Sequence, residues 1–368
     1  MRKKLKLASA AAAAVLATPA FAMVPNLENP LYNPSPGEVY SRTAVGIMYK
    51  KVDDTKAQKN KGNDGQSEFP IWLVRQDLGV GITDRLSLNA RAGYIYNGDI
   101  DRQGMYIGRA GLNYRMFDGS QTDGWIWDVY ADANLGGVSR MEGELVINPQ
   151  TTVAVFHYDN YSSGRWGALA GTRVGKTFDR LTVAGFVEVL RLFGNSNNEI
   201  SLRTTKANAT ALIGQLGGIM HVQTECQGGD LDMCTLLGLA TATDSIEAEL
   251  KSTWELSAGL QGLYQIDDRW SVGGSFRYIQ RAANGVKSVK TKQPNDAAQG
   301  VADNLALEMR DMKDGHDEFL FGLSVANQLT DRVQVALFGE YTFDTAEENS
   351  QGGSDFKLEL GARVNVRF

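Results

Sequence analysis

Long apolar runs are missing. Past the first 22 residues no stretch reaches the about 18 apolar residues that a membrane-crossing helix needs, and the longest, "TALIGQLGGIM", is broken by glycines. Positive charge is not in excess: 37 Lys and Arg stand against 43 Asp and Glu, a formal net charge of −6, which argues against a nucleic-acid partner. Histidine is rare, at 3, and cysteine rarer, at 2. A metal centre would have to grow from Cys226, Cys234 and His221 without further ligands nearby, so neither a metal nor a cofactor is expected. Proline is scarce at 8 while glycine reaches 40, a composition that fits many strands and little helix.

What is present begins with a leader. "MRKKLKL" is basic, "ASAAAAAVLAT" is a small-residue apolar run, and Ala20-Phe21-Ala22 is an A-x-A cleavage site, so residues 1–22 read as a secretory signal peptide. Met23 follows the cut where a lipid anchor would need Cys. Losing Arg2, Lys3, Lys4 and Lys6 takes the formal charge from −6 to −10. Export also makes one local disulfide between Cys226 and Cys234 the expectation. Residues 23–37 carry four prolines and read as a non-regular segment on the periplasmic side.

A phrase then recurs: "GITDRLSL", "KTFDRLTV", "QIDDRWSV" and "QLTDRVQV", each an Asp-Arg pair followed by an alternating apolar run. Asp suits a tight turn because its side chain accepts from the backbone two residues on, so each phrase reads as a hairpin turn. A fifth, longer turn is "FDGSQTDG". Long polar insertions at 52–66, 97–103, 138–162, 195–248, 283–315 and 346–354 alternate with these short turns. The expected strands are 38–51, 68–82, 86–97, 104–116, 125–137, 164–177, 181–194, 250–266, 270–282, 317–329, 333–345 and 355–368. "TTVAVFHYDNY" also alternates, but a strand there would invert every later turn, so it is assigned to a long external hairpin.

The tryptophans test this frame. Parity puts Trp72, Trp125, Trp127, Trp166, Trp254 and Trp270 on one face. Trp125, Trp127 and Trp270 lie close to short turns, and Trp72, Trp166 and Trp254 lie near the opposite ends of their strands. Two such belts match the aromatic girdles that flank an apolar band about 25 Å tall. Gln76 and Arg191 break the apolar face; Gln76 marks a bulge, a register error or a protomer contact, and Arg191 is near enough to the outer end to snorkel.

With its leader, twelve amphipathic strands, TDR-type turns and terminal Phe368, the chain resembles the Gram-negative outer-membrane β-barrel superfamily, of the small porin-like kind, without pointing to one subfamily. The resemblance implies an all-β, transmembrane, antiparallel up-and-down barrel over 38–368, with short periplasmic turns and long extracellular loops. It also implies residence in the outer membrane, contact with its lipid and lipopolysaccharide, and delivery by the barrel assembly machinery. Phe368 would then be part of the assembly signal; by itself it reads as an apolar residue closing a girdle.

The inward face is unusually charged. Candidate pore-lining residues are Arg75, Arg91, Arg109, Arg115 and Arg173 on one side and Asp128, Asp132, Glu188, Glu255 and Glu340 on the other, with Asp77, Arg165 and Glu318 also inward. Arg75, Arg91 and Arg109 form a possible ladder on a basic wall facing an acidic one. Such walls set ion preference, and guanidinium forks suit carboxylates and phosphates. A wet, selective lumen and a lumen filled by cross-barrel ion pairs both fit. The apolar parts of 195–248 fold over the mouth, enter the lumen, or extend the strands above the membrane.

Three function classes follow: a passive channel for small hydrophilic, anionic solutes; a structural or adhesion barrel acting through its loops; and an outer-leaflet hydrolase. The last lacks residues. His157, near Asp159, Ser162 and Ser163, is the one constellation of the right types, without the His-x-Ser-Asn spacing of the phospholipase barrels, and His316 has acids beside it but no positioned partner. A non-enzyme is therefore expected.

Overall fold

The computed structural model describes residues 26–51, 71–97, 102–120, 124–147, 154–163, 165–194, 197–282, 286–310, 315–344 and 356–368. The leader read in 1–22 lies outside them. In chain order the strands are β1 (Val39–Lys51), β2 (Ile71–Gly81), β3 (Leu86–Asn97), β4 (Arg102–Asp118), β5 (Ile126–Asn134), β6 (Val138–Ile147), β7 (Ala154–Ser163), β8 (Gly167–Phe178), β9 (Leu181–Leu192), β10 (Asn197–Ser201), β11 (Ser245–Leu250), β12 (Thr253–Gln265), β13 (Trp270–Arg281), β14 (Val286–Lys290), β15 (His316–Thr330), β16 (Val333–Asp344) and β17 (Phe356–Arg367). The helices are α1 (Arg203–Gln215), α2 (Ile219–Gln227), α3 (Leu231–Thr241) and α4 (Asp296–Arg310).

Twelve of the strands close on themselves. Antiparallel pairing runs β1–β2–β3–β4–β5–β8–β9–β12–β13–β15–β16–β17 and returns to β1, where Tyr40 pairs Arg367 and Lys51 pairs Phe356. Closure leaves no free edge, which is what a lipid-embedded sheet requires. All six tryptophans face outward, with Trp166 65% exposed, and the two belts sit at opposite ends of the wall. The fold is a closed, twelve-stranded, up-and-down barrel, apolar outside and charged inside.

The short turns are built differently from the expectation. In "GITDR", Thr83 Oγ1 accepts from the amides of Arg85 (3.2 Å) and Leu86 (3.0 Å); in "QLTDR", Thr330 Oγ1 accepts from Arg332 (3.3 Å) and Val333 (3.1 Å). In "QIDDR", Asp267 accepts from Arg269 (2.8 Å) and Trp270 (2.7 Å), and these two amides hold its carboxyl below the usual range. The acceptor is thus the residue before the repeated Asp. "KTFDR" uses another solution, with Asp179 at φ 49°, a left-handed position that Asp tolerates.

Gln76 marks no bulge. The register runs unbroken through it, its amide donates to Ser41 Oγ (2.8 Å), and Thr43 Oγ1 donates to its carbonyl (2.6 Å). An outward amide is thereby satisfied by the neighbouring strand. The Arg191 guanidinium lies over the Trp254 ring at 4.4 Å, at the long-loop end.

The remaining five strands extend the wall at that end. β6 starts against β4 (Gln103 opposite Arg140), and the sheet continues β6–β7–β10–β11–β14. Residues 154–161 of "TTVAVFHYDNY" fall on β7 of this extension, with His157 on it, and the first three lie outside the described residues. The segment 195–248 is neither a lumenal plug nor mainly strand: it forms α1, α2 and α3, which with α4 pack over a core of Ile200, Leu202, Val222, Met233, Leu236 and Ile246. The sequence shows little of this helix because α1 to α3 are short and their apolar residues serve a local core. Asp230 caps α3 by accepting from Asp232 (3.0 Å) and Met233 (3.1 Å), a contribution of about 1 kcal/mol. A Cβ on Gly238 would lie 2.5 Å from the Ala297 carbonyl, so glycine sets the approach of α3 to α4.

Cys226 on α2 and Cys234 on α3 are joined by a disulfide. Replacing both by Ser should raise hydrogen exchange across α2 and α3, because such a bridge typically contributes about 2–4 kcal/mol. The barrel's heat-modifiable gel migration should stay unchanged, since neither cysteine touches the wall. Loss of heat modifiability in the double variant would contradict this division of the chain.

The barrel lumen as candidate functional site

Three levels stack inside the barrel. At the short-turn end the mouth is occupied by residues 26–37, the irregular segment expected on that side. Its proline spacing keeps it out of helix and sheet, and its polar groups find partners on the wall. Asn26 donates to Gln265 Oε1 (3.0 Å) and Ser271 Oγ (3.1 Å) and accepts from Gln334 (2.8 Å). Glu28 accepts from Arg363 (3.1 and 3.2 Å) and Asn365 (2.7 Å). Arg42 donates to the Leu27 carbonyl, and Arg115 to that of Leu31 (2.6 Å). Asn33 accepts from Ser87 (2.9 Å) and Asn113 (3.3 Å). Leu31 packs on Ile126 and Ala184. Tyr32 donates to Glu38 (2.6 Å); burial, and then that carboxylate, push its phenol up, so the proton stays in the bond.

Below the middle, against this segment, Asp128 is fully buried (0% exposed) between Arg115 Nε and Arg173 Nη2, each 2.9 Å away. Arg115 also reaches Asp118 at 3.3 Å.

The middle level holds a cavity of about 520 Å³ floored by the N-terminal segment. Arg75, Arg91, Arg109, Asp132, Arg173, Glu188 and Glu340 line it, so seven of the ten sequence candidates converge there. Arg42, Arg277 and Arg363 line it as well. Arg91 makes a two-point pair with Asp77 (2.6 and 3.2 Å). Arg75 pairs with Glu359 across β1, where Gly46 leaves room: a Cβ there would sit 2.9 Å from the Glu359 carboxylate. Glu188 accepts from Arg277 (2.5 Å), Ser257 (3.2 Å) and Tyr130 (2.9 Å).

A repeated device holds the arginines. Tyr40, Tyr130, Phe186 and Phe338 face inward opposite Gly79, Gly171, Gly259 and Gly361, and each ring occupies the space a Cβ would need. Guanidinium groups then stack on three of these rings: Arg42 on Tyr40 (5.0 Å), Arg277 on Phe186 (5.6 Å), and Arg75 and Arg363 on Phe338 (5.4 and 5.1 Å). Aromatic faces attract cations, so these arginines are fixed against the wall rather than waving in the lumen.

At the long-loop end Arg281 joins Glu255 (2.7 Å) to Glu318 (3.1 Å), with Lys357 and His316 3.6 and 3.5 Å from Glu318. Glu255 therefore belongs to this rim network and not to the cavity.

The expectation of a basic wall facing an acidic one does not hold. Opposite charges interleave at Asp77–Arg91, Arg115–Asp128 and Asp128–Arg173, because antiparallel pairing sets facing residues about 4.5–5.5 Å apart and rewards unlike neighbours; Arg91 opposite Arg109 and Glu340 opposite Glu359 are like pairs. Arg277, Arg281 and Glu359 were missed as candidates although parity alone turns them inward. Glu28 and Arg42 acquire their roles only from the folded N-terminal segment. Among the described residues no cluster of three metal-ligating side chains occurs. Phe368 ends the closing seam, its amide donating to Val39 (2.8 Å) and its ring exposed on the outer face.

No protein-family model matches the chain, and a search of curated proteins finds no match. Among solved structures it is similar to the translocator domain of autotransporter NalP from Neisseria meningitidis, at 9% identity over 92% of this chain and 90% of that one, with a TM-score of 0.44. It is also similar to a Pseudomonas aeruginosa FadL homologue, at 12% identity over 96% and 98%, TM-score 0.41. A third is the CymD monoaromatic hydrocarbon channel, at 9% identity over 91% and 89%, TM-score 0.40. The closed barrel and its register, rather than these distant likenesses, define the fold.

Proposed function

We propose that the protein is an outer-membrane channel for small hydrophilic anions, narrow because ion pairs and the N-terminal segment fill much of its lumen. In this reading the short turns and residues 26–37 face the periplasm, the two tryptophan belts sit at the lipid and lipopolysaccharide interfaces, and Phe368 serves the assembly machinery. The observation that carries it is the cavity wall: its arginines, Arg42, Arg75, Arg91, Arg109, Arg173, Arg277 and Arg363, outnumber the carboxylates that line it, Glu28, Asp77, Asp132, Glu188 and Glu340, and Arg109 has no ion-pair partner among the described residues, while Glu359 and Asp128 behind the lining take Arg75 and Arg173. A wall with excess fixed cations concentrates anions at low ionic strength.

A second reading, a structural or adhesion barrel, is favoured by one feature: the largest apolar core lies in the loop-borne unit of α1 to α4, outside the wall. Planar-bilayer recording separates them. The folded chain should give small discrete steps with a reversal potential on the anion side, weakening as salt rises and the screening length falls to about 3 Å at 1 M. A bilayer that stays silent both with the intact chain and with one lacking the N-terminal segment would leave the second reading.

A further inference from the structure

The cavity contains a pairing that the barrel does not explain. Arg91 on β3 and Arg109 on β4 are register partners, both directed into the lumen. Like charges directly opposite on adjacent strands are destabilising. Arg91 is partly neutralised by Asp77, at 2.6 Å. Arg109 has no such contact: among the described residues it makes no hydrogen bond and no ion pair, the carboxylates of Glu188 and Asp132 act on it only through space, and its Nε is buried without a partner. Asp132, on the next strand, also keeps a buried carboxylate oxygen unpartnered and does not close on Arg109. Arg75 and Arg277 face the same space and are held back on their aromatic rings, so neither competes for the centre.

We infer that Arg109, with Arg91 beside it, forms a specific binding site for the oxyanion of a small solute, a carboxylate or a phosphate. An oxyanion between two guanidinium groups, a planar carboxylate or a tetrahedral phosphate, accepts from both and offsets the repulsion that the register imposes. The cavity, at about 520 Å³, lies within the roughly 300–1,000 Å³ range of small-ligand pockets. The solute class is therefore a small polar molecule bearing one acidic group, such as a sugar acid or a sugar phosphate. This deepens the channel reading and rests on its premise that solutes reach the cavity, but binding does not require conduction.

The test is calorimetric titration of the detergent-folded chain with glucuronate, with inorganic phosphate, and with glucose as the neutral control. Saturable one-to-one binding of glucuronate or phosphate, absent for glucose, is expected. Arg109→Gln should weaken it roughly tenfold or more, while Arg332→Gln, in a short turn, should leave it unchanged. Because Arg109 has no partner in the described barrel, Arg109→Gln should melt no lower than the parent when ligand-free. The site is overturned if neither anion binds saturably, if glucose binds equally, if Arg109→Gln binds as the parent does, or if that variant melts markedly lower. Anion-selective steps without saturable binding would reject the site and keep the channel; saturable binding in a silent barrel would keep the site and reject the channel.

Discussion

Removing residues 26–35 should widen the channel. The expected result is single-channel steps several-fold larger than those of the intact chain, with anion preference retained, because the arginines of the middle level belong to the strands. The charged part of the segment's hold on the wall is Glu28, which takes both Arg363 and Asn365. A hydrogen bond to a charged group contributes about 1.5–3 kcal/mol, and each 1.4 kcal/mol is a factor of ten. Glu28→Gln should therefore shift the ratio of seated to unseated segment by about 10- to 150-fold, visible as longer dwell in the large-step level. Leu27 and Leu31 remain buried in that variant and keep the seated state accessible. Identical conductance in the parent, the point variant and the deletion would mean that the segment does not obstruct ion flow, and the constriction would have to be sought at the Arg281 rim network instead.

The wall was far more legible than its interior partners. Alternation fixes which side a strand residue faces, so the outward tryptophans and the inward Arg75, Arg91 and Arg109 follow from parity. What parity does not carry is register. Whether Arg91 meets Asp77 or Arg109, and whether Arg75 can reach Glu359 over Gly46, depends on offsets between strands that a single chain does not display. The N-terminal segment was hidden for a related reason: Asn26, Glu28 and Asn33 look like ordinary loop polars until the mouth supplies Gln334, Arg363 and Ser87 at the right height. The apolar stretches of 195–248 were legible as misplaced in water, but not as helices. Their burial depends on β10 and β11 at the two ends of the segment and on α4 from the next long loop.

Asp128→Asn should be the most damaging single substitution in the lumen. The carboxylate is fully buried, and both its oxygens are engaged, one by Arg115 Nε and one by Arg173 Nη2. Asn keeps the shape and removes the charge, which leaves Arg115, itself buried, with the exposed Asp118 as its one ion-pair partner among the described residues. Breaking one side of a buried pair costs about 3–5 kcal/mol, because the surviving charge stays out of water uncompensated. Urea unfolding of the barrel in detergent should register a loss of that order. Arg173→Gln should cost clearly less, since Asp128 would keep Arg115 and Arg173 is partly exposed to the cavity. Asp128→Asn should also loosen the mouth, because Arg115 Nη2 holds the Leu31 carbonyl at 2.6 Å. The coupling is checked by combining Asp128→Asn with deletion of 26–35: if the two act through Arg115, the conductance gain of the double variant stays close to that of the deletion alone. Fully additive gains, or a stability loss no larger than that of Arg173→Gln, would show that Asp128 does not anchor the N-terminal segment to the wall.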